Sequence, residues 1–241
     1  MRAYWDEGAR RNAAWYVDTT LAFEEPDMAE FLEGGQLIVG KLLEQAPVEP
    51  LDHGLAVEIG SGLGRVCLAL ADHFERVVGI DISPEMVQRS RTLVSDPRVT
   101  FQVGDGLGLA GVDDASVDLV LSFTVFQHIP NASIVHGYLA EAGRVLRPGG
   151  VLAFQWNNTP GAKRWAFRRA VLSTLQRTGL HRERYRRHAP QFLGCRIPLV
   201  PLRHTLEEHG LELRGSAGLD TLYAVAWAVR RSAPDAVTSL A

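Results

Sequence analysis

Three glycines at alternate positions follow a short apolar run and precede a helical pattern, in the stretch VEIGSGLGR of residues 57–65. Gly60 and Gly62 can adopt conformations closed to other residues and let a ligand approach the backbone. Gly64 permits close packing of the helix that follows. A tight turn without a ligand is the alternative, but three glycines weaken a turn unless something needs the room. The spacing therefore predicts a ligand site where a strand turns into a helix.

The residue two positions before the first glycine is Glu58, and it favours one kind of ligand. A dinucleotide fingerprint is spaced G-x-G-x-x-G and brings a pyrophosphate to a helix N-terminus, whereas the spacing here is G-x-G-x-G. A carboxylate repels a pyrophosphate at close range in a partly desolvated cleft. It attracts an ammonium or a sulfonium, and S-adenosylmethionine carries both. We therefore expect a cationic amino-acid cofactor.

Apolar β-branched runs alternate with helical patterns between residues 50 and 156, which indicates a parallel sheet built from βαβ units. The runs are apolar nearly throughout, as is typical of strands covered on both faces. Ser83 is suited to be the N-cap of one intervening helix because Pro84 follows it. The predicted strands are residues 55–59, 77–81, 99–103, 117–122 and 151–156.

Helical and strand patterns also flank this core. Residues 1–48 predict an N-terminal helical cap, whose Trp5, Trp15 and Tyr16 could either cover the cofactor or pack on the domain. Beyond residue 200 a helix and two strands with a short connection are expected, and such strands pair antiparallel. The predicted fold is α/β, a doubly wound, Rossmann-like, mainly parallel seven-stranded sheet with an antiparallel C-terminal edge strand. The predicted division is a cap at 1–48, a main domain at 49–232 with an acceptor-side insertion at about 157–200, and a tail at 233–241.

The ordered set of motifs resembles the class I S-adenosylmethionine-dependent methyltransferases of small molecules over about residues 50–156. VEIGSGLGR looks like the family's first motif. VVGIDIS ends the second strand with Asp81, at the place where the family's acidic residue holds the ribose hydroxyls. VGDG resembles the segment that meets the adenine amino group, and VDLVLSFTVFQHIP resembles the fourth-strand motif near the methionine part. The resemblance implies S-adenosylmethionine as cofactor, S-adenosylhomocysteine as product, and cofactor contacts at Glu58, Gly60, Ser61, Gly62, Gly64, Asp81, Ile82, Asp105, Gly106, Ser122 and Phe123.

Methyl transfer from a sulfonium is an in-line displacement, so the enzyme mainly aligns nucleophile, methyl and sulfur. A base is required only if the acceptor is a protonated hydroxyl, phenol or amine. His128, in FQHIP just beyond the fourth strand, is the best-placed candidate base, since a histidine titrates near neutral pH. A loop-packing or substrate-contacting histidine is the alternative. The expected acceptor rim consists of Gln127, His128, Trp156, Asn157 and Asn158.

Composition limits the class of protein. The 241 residues carry a net charge of −3 and are 46% hydrophobic, enough for a sizeable core. No apolar run approaches the ~20 residues of a membrane span, and the N-terminus has no signal-peptide pattern, so we expect a cytoplasmic protein without a membrane partner. Cys67 and Cys195 have no metal-site or disulfide spacing, and no metal is expected.

A basic stretch at 163–188 carries nine Lys and Arg residues against a single acid, Glu183. It is compatible with a small anionic acceptor, whereas the acidic pI of the chain argues against nucleic acid. We predict methyl transfer to oxygen or nitrogen of a small molecule rather than to carbon. The alternatives are an S-adenosylmethionine-binding non-catalytic module, an NAD(P)-dependent oxidoreductase, an RNA methyltransferase, and a relative that keeps the cofactor but performs another reaction. The acceptor's identity and the oligomeric state are left open.

Overall fold

A seven-stranded sheet organises the chain in the computed structural model, which describes residues 1–45, 54–160, 171 and 194–232. A short 3-10 turn at Phe126–His128 follows the fourth strand. In chain order the described elements are α1 (Arg2–Val17), α2 (Met28–Gln45), β1 (Leu55–Ile59), α3 (Arg65–Leu70), β2 (Arg76–Asp81), α4 (Pro84–Leu93), β3 (Val99–Val103), β4 (Val117–Ser122), α5 (Ala132–Val145), β5 (Leu146–Trp156), α6 (Leu199–Glu208), β6 (Leu211–Ala217) and β7 (Ala224–Arg230).

The strand order is β3-β2-β1-β4-β5-β7-β6, with the first five strands parallel. β7 runs antiparallel to both β5 and β6, which confirms the α/β fold and the C-terminal hairpin. β7 lies inside, so β6 rather than the last strand forms the edge, and a bulge interrupts β6 between Leu213 and Gly215. The strand order reverses between β1 and β4, where doubly wound sheets bind ligands at the strands' carboxyl ends.

Both faces of the central strands are covered, which explains their nearly continuous apolar sequences. On one face Val57 of β1 and Val120 of β4 pack with Leu139 of α5. On the other face Ala56 and Leu121 pack in a cluster that α3 and α2 complete. Successive side chains of each strand therefore point into two different hydrophobic cores, one on each face of the sheet. Both cores hold in place the segments that follow β1, β2 and β4 at the carboxyl edge of the sheet.

Local sequence signals place the helices as expected. The Ser83 hydroxyl caps α4 by accepting a hydrogen bond from the Met86 amide at 3.2 Å, with Pro84 as the first helical residue. β5 begins at Leu146, earlier than the predicted residue 151, because Leu146 already pairs with Val117 before the register shifts.

Two N-terminal helices confirm the helical character of this region. The Arg2 guanidinium donates to the carbonyls of Ile82 and Gly104, each at 3.0 Å. The Asp6 carboxylate accepts hydrogen bonds from the Ser83 hydroxyl at 2.5 Å and from the Glu85 amide at 3.3 Å. α1 is thereby fixed across the segments that follow β2 and β3.

The predicted domain boundaries stay predictions. The basic stretch at 163–188, apart from Val171, and the tail at 233–241 lie outside the described residues. Within the described part of the chain, none of the helices has the length and apolar character that crossing a membrane requires.

Candidate active site

A cavity of about 630 Å³ lies at the carboxyl ends of the parallel strands, and α1 with the residues that follow it forms part of its wall. Its position agrees with the switch point of the strand order. Of the residues predicted to contact cofactor or acceptor, the cavity is lined by Gly60, Gly62, Asp81, Ile82, Gly106, Phe123, Gln127 and His128.

The glycine turn has the backbone that its sequence requires, with φ of 76° at Gly60, 53° at Gly62 and 84° at Gly64. A Cβ at Gly60 would overlap the Val125 side chain, and one at Gly62 would lie 2.7 Å from Cγ2 of Val17. Gly64 does not line the cavity. A Cβ there would lie 2.5 Å from the ring of Phe101 in the core, so this glycine serves helix packing, as its position suggested.

Asp81 joins the end of β2 to the glycine turn. One carboxylate oxygen accepts a hydrogen bond from the Gly62 amide at 2.9 Å, and the other accepts from the Ser83 amide at 2.8 Å. Burial raises the pKa of Asp81, although these two hydrogen bonds act in the opposite direction. A carboxylate has about four acceptor positions, so positions remain for hydroxyl donors in the cavity. These free acceptor positions fit the hydroxyls of the ribose in an adenosyl ligand.

Glu58 does not line the cavity, which corrects the expectation that it meets a cation there. The residue is 3% exposed, and its carboxyl group accepts a hydrogen bond from the Cys67 thiol at 2.9 Å. Burial raises the pKa of Glu58 to about 8, although the Cys67 hydrogen bond and the charge of Arg65 act in the opposite direction. Because burial also raises the pKa of Cys67 well above its ordinary value, the thiol remains a donor. At neutral pH Glu58 is therefore mostly neutral and attracts a cation weakly.

Asp105 also lies outside the cavity wall. It is exposed, and one of its carboxylate oxygens accepts hydrogen bonds from the Leu107 and Gly108 amides at 2.7 and 3.2 Å. The glycines on either side of it, Gly104 and Gly106, border the cavity with their backbone. The loop is therefore at the expected place, but the Asp105 carboxylate is used to shape it.

Two serines predicted to contact the cofactor are buried behind the wall. The hydroxyls of Ser61 and Ser122 have no hydrogen-bond partner among the described residues, and neither residue lines the cavity. Phe123, which follows β4 directly, does line it.

Three residues expected at the acceptor rim have structural contacts instead. The Trp156 indole and the Asn158 amide both donate to the Ile197 carbonyl, at 3.0 and 3.1 Å. The Asn157 side chain accepts a hydrogen bond from the Thr159 hydroxyl at 2.6 Å. All three are buried and outside the cavity wall, because β5 is covered there by the segment that leads into α6.

Gln127 and His128 line the cavity together with Trp5, a tryptophan from α1. The ring of Trp5 meets the His128 ring at a centroid distance of 5.6 Å and an angle of 64°. The Gln127 amide nitrogen is 3.3 Å from Nε2 of His128, and Oε1 of the buried Gln127 has no hydrogen-bond partner among the described residues. The site thus combines an aromatic wall with an imidazole.

Sequence reasoning missed a charged pair in the wall. A carboxylate oxygen of Asp18, at the end of α1, lies 2.5 Å from Nη1 of Arg65, the first residue of α3. Both residues line the cavity, as do Trp5 and Tyr16 of the N-terminal region. Arg65 follows the glycine turn directly, which was a usable signal, whereas nothing in the sequence around Asp18 indicated its partner.

The described residues contain no group of three or more His, Cys, Asp or Glu side chains that could hold a metal ion.

Residues 57–154 match the family model described as "Methyltransferase domain". This stretch is a methyltransferase domain. The match confirms the resemblance to S-adenosylmethionine-dependent methyltransferases.

Curated relatives share this domain over part of their length. The chain is 32% identical over 139 residues to 2-methyl-6-phytyl-1,4-hydroquinone methyltransferase from a Synechocystis species, covering 56% of this chain and 42% of that protein. It is 35% identical over 116 residues to trans-aconitate 2-methyltransferase from an Azoarcus species, covering 47% and 42%. The matched region thus spans less than half the length of both relatives.

Among solved structures, that of magnesium protoporphyrin IX methyltransferase from Synechocystis with bound SAH is similar. The TM-score is 0.59 at 19% identity, covering 96% of this chain and 98% of that one. The likeness confirms the fold of the methyltransferase domain together with its flanking elements.

Proposed function

We propose that this protein transfers a methyl group from S-adenosylmethionine to oxygen or nitrogen of a small-molecule acceptor and releases S-adenosylhomocysteine. One observation carries the proposal. A single cavity presents the Gly60–Gly62 turn with Asp81 in one part of its wall and the Trp5, Gln127 and His128 side chains in another. The matched methyltransferase domain and the small-molecule substrates in the relatives' names support it.

On the cofactor side, the open acceptor positions of the Asp81 carboxylate receive the ribose hydroxyls. Ile82, Gly104 and Gly106 border the place next to it at the ends of β2 and β3, and would flank the adenine. When bound, the cofactor supplies an electrophilic methyl group on a sulfonium. The chain's own contribution is to hold both reactants in line and to exclude water from the space between them.

On the acceptor side, His128 is the candidate base for a hydroxyl or amine proton. The Gln127 amide beside its Nε2 and the Trp5 ring fix the orientation of the imidazole. An anionic acceptor, as the basic stretch at 163–188 suggests, and a cytoplasmic location stay predictions.

The first test is thermal unfolding with S-adenosylmethionine, S-adenosylhomocysteine, NAD and NADP, each in large excess. A ligand at about 100 times its dissociation constant adds about 2.7 kcal/mol, which raises the midpoint by roughly 5–10 °C for a chain of this size. We expect a shift with the two adenosyl ligands, loss of that shift in Asp81→Asn, and no loss in the exposed control Asp113→Asn. A shift with NAD alone would overturn the proposal.

Catalysis requires a second measurement, the release of S-adenosylhomocysteine with a panel of phenols, hydroquinones, amines and small carboxylic acids. Turnover with a member of the panel is the expected result. Binding of the adenosyl ligands without turnover on any acceptor would favour the non-catalytic module instead.

A further inference from the structure

A carboxamide lies in the cavity wall at the carboxyl ends of β4 and β5. Oε1 of Gln155, the last residue but one of β5, accepts a hydrogen bond from the Thr124 amide at 3.1 Å. Only the oxygen of a carboxamide accepts from an N–H group, so this contact fixes which end of the side chain is the oxygen. Nε2, with its two N–H donors, is therefore the end that Thr124 leaves free.

Nε2 of Gln155 is open to the cavity. Among the residues that the structure describes, none accepts a hydrogen bond from it. Nε2 also keeps accessible surface, whereas Oε1 of Gln127 is sealed off. Because Gln155 is 5% exposed and lines the cavity, that surface belongs to the cavity. The two donors are therefore satisfied only by water or by a ligand in the cavity.

The backbone beside Gln155 is strained. Thr124 has a φ of 58°, in the left-handed region, which is a genuine outlier for a β-branched residue. Such strain persists only where surrounding contacts hold it, and it clusters at functional sites. The hydrogen bond from the Thr124 amide to Gln155 is one such contact. Both residues line the cavity, so the strained turn and the carboxamide form one unit of its wall.

The chain segments beside Gln155 bring uncharged side chains to the cavity. The Asp and Arg side chains in the described wall are those of Asp18, Arg65 and Asp81, all around the glycine turn. The segments next to Gln155 are the one that follows β4 and the one that precedes β7, the strand that pairs with β5. Their apolar and aromatic side chains in the wall are Phe123, Val125, Leu222 and Tyr223. A neutral donor in such surroundings favours a neutral oxygen, since an anion there would be buried without a cation.

We propose that Gln155 is a specificity-determining residue for the acceptor, and that its Nε2 donates a hydrogen bond to a carbonyl oxygen of an uncharged, largely apolar acceptor. The inference rests on the proposed function and names the class of its acceptor. That class is a phenol or amine that also carries a ketone, ester or amide group. The competing class is the anionic acceptor that the basic stretch at 163–188 suggests.

Calorimetric titration in the presence of saturating S-adenosylhomocysteine tests the inference with matched phenols. 4-Hydroxyacetophenone carries a carbonyl, 4-ethylphenol has a methylene group in its place, and 4-hydroxybenzoate has a carboxylate. We expect the wild type to bind 4-hydroxyacetophenone roughly three- to tenfold more tightly than 4-ethylphenol, as for one neutral hydrogen bond. 4-Hydroxybenzoate should bind no more tightly than 4-ethylphenol.

Two variants test whether this preference comes from Gln155. Gln155→Met keeps the length of the side chain but has no donor, so the ketone and 4-ethylphenol should bind equally well. Gln155→Glu keeps an oxygen for the Thr124 amide and puts a second oxygen in the place of Nε2. At pH 8 it should bind 4-hydroxyacetophenone roughly tenfold more weakly than the wild type and 4-(aminomethyl)phenol, which carries an ammonium, roughly tenfold more tightly. Gln102→Glu, an exposed change on β3 outside the cavity wall, should alter none of these affinities.

Binding of S-adenosylhomocysteine reports whether each variant folds. A wild type that binds S-adenosylhomocysteine without preferring the ketone, or a folded Gln155→Met that keeps the preference, would overturn the inference and leave the proposed function standing. If only Gln155→Glu folds, an unchanged order of the phenols in that variant would overturn it. Tighter binding of 4-hydroxybenzoate than of the ketone would overturn it in favour of an anionic acceptor. A wild type that binds no adenosyl ligand would overturn the proposed function and the inference with it.

Discussion

Replacing Glu58 by glutamine should make the stability of the protein less dependent on pH. The folded chain keeps Glu58 protonated up to a pKa of about 8, whereas the ordinary value is 4.5. The unfolded chain therefore releases this proton at lower pH, and unfolding becomes more favourable as the pH rises through that window. The contribution of Glu58 to the free energy of unfolding is complete below pH 4.5 and is lost as the pH approaches 8. Glutamine cannot ionise and still offers an oxygen to the Cys67 thiol.

The magnitude follows from the two pKa values. At about 1.4 kcal/mol for each pH unit, the interval between 4.5 and 8 bounds the loss at about 5 kcal/mol. Between pH 5 and pH 8, about 3 to 4 kcal/mol of it should appear. The free energy of unfolding of Glu58→Gln, relative to that of the wild type, should rise by this amount over the same range.

Urea denaturation followed by far-UV circular dichroism at pH 5, 6, 7 and 8 measures both proteins without ligand. Glu25→Gln, an exposed carboxylate in the loop before α2, is the matched control and should track the wild type at every pH. A difference between Glu58→Gln and wild type that is constant from pH 5 to pH 8 would refute the reasoning. It would mean that Glu58 is ionised in the fold, and its attraction for a cationic cofactor would then stand again.

Three further variants test other parts of the site. His128→Ala should lower turnover while leaving the calorimetric affinity for S-adenosylhomocysteine unchanged, and an unchanged rate would remove the imidazole from the mechanism. Gly60→Ala would place a side chain at a φ of 76° and against the Val125 side chain. This change should cost about 1–3 kcal/mol of stability and abolish binding of S-adenosylhomocysteine. Normal binding would contradict the close approach of the backbone to the ligand. Arg2→Gln removes two hydrogen bonds from α1 to the carbonyls that follow β2 and β3. Amide hydrogen exchange in residues 2–17 should therefore accelerate roughly tenfold, which corresponds to a loss of about 1–2 kcal/mol in the energy that holds α1 on the domain. Unchanged protection would show that other contacts hold α1.

The sheet and the glycine turn could be predicted because their signals are local. Apolar runs, the Ser83–Pro84 cap and glycines that need positive φ each act within a few residues. Asp81 was predicted from the resemblance to the family, and the structure places it at the end of β2, beside the glycine turn. The place of the cavity then followed from the general behaviour of parallel sheets.

The side chains that were misplaced depend on contacts between distant parts of the chain. Glu58 lies behind the turn because Cys67, on the first turns of α3, offers it a buried donor. Asp18 joins the wall because α1 and α2 bring it to Arg65, across 47 positions of sequence. Trp156 was expected at a rim but is covered by the segment around Ile197. Periodicity carries no information about such pairings.

The edge position of β6 affects how molecules of this protein can meet. An edge strand offers unpaired backbone groups to which a strand of another chain can add. On β6, Nη2 of Arg214 lies 3.2 Å from Oε2 of Glu212. Both residues lie beside the bulge between Leu213 and Gly215. A second chain adding here would have to follow an irregular strand and remove water from two charges. Self-association by strand addition at β6 is therefore disfavoured, and the sheet can end in the open without acting as a template for aggregation.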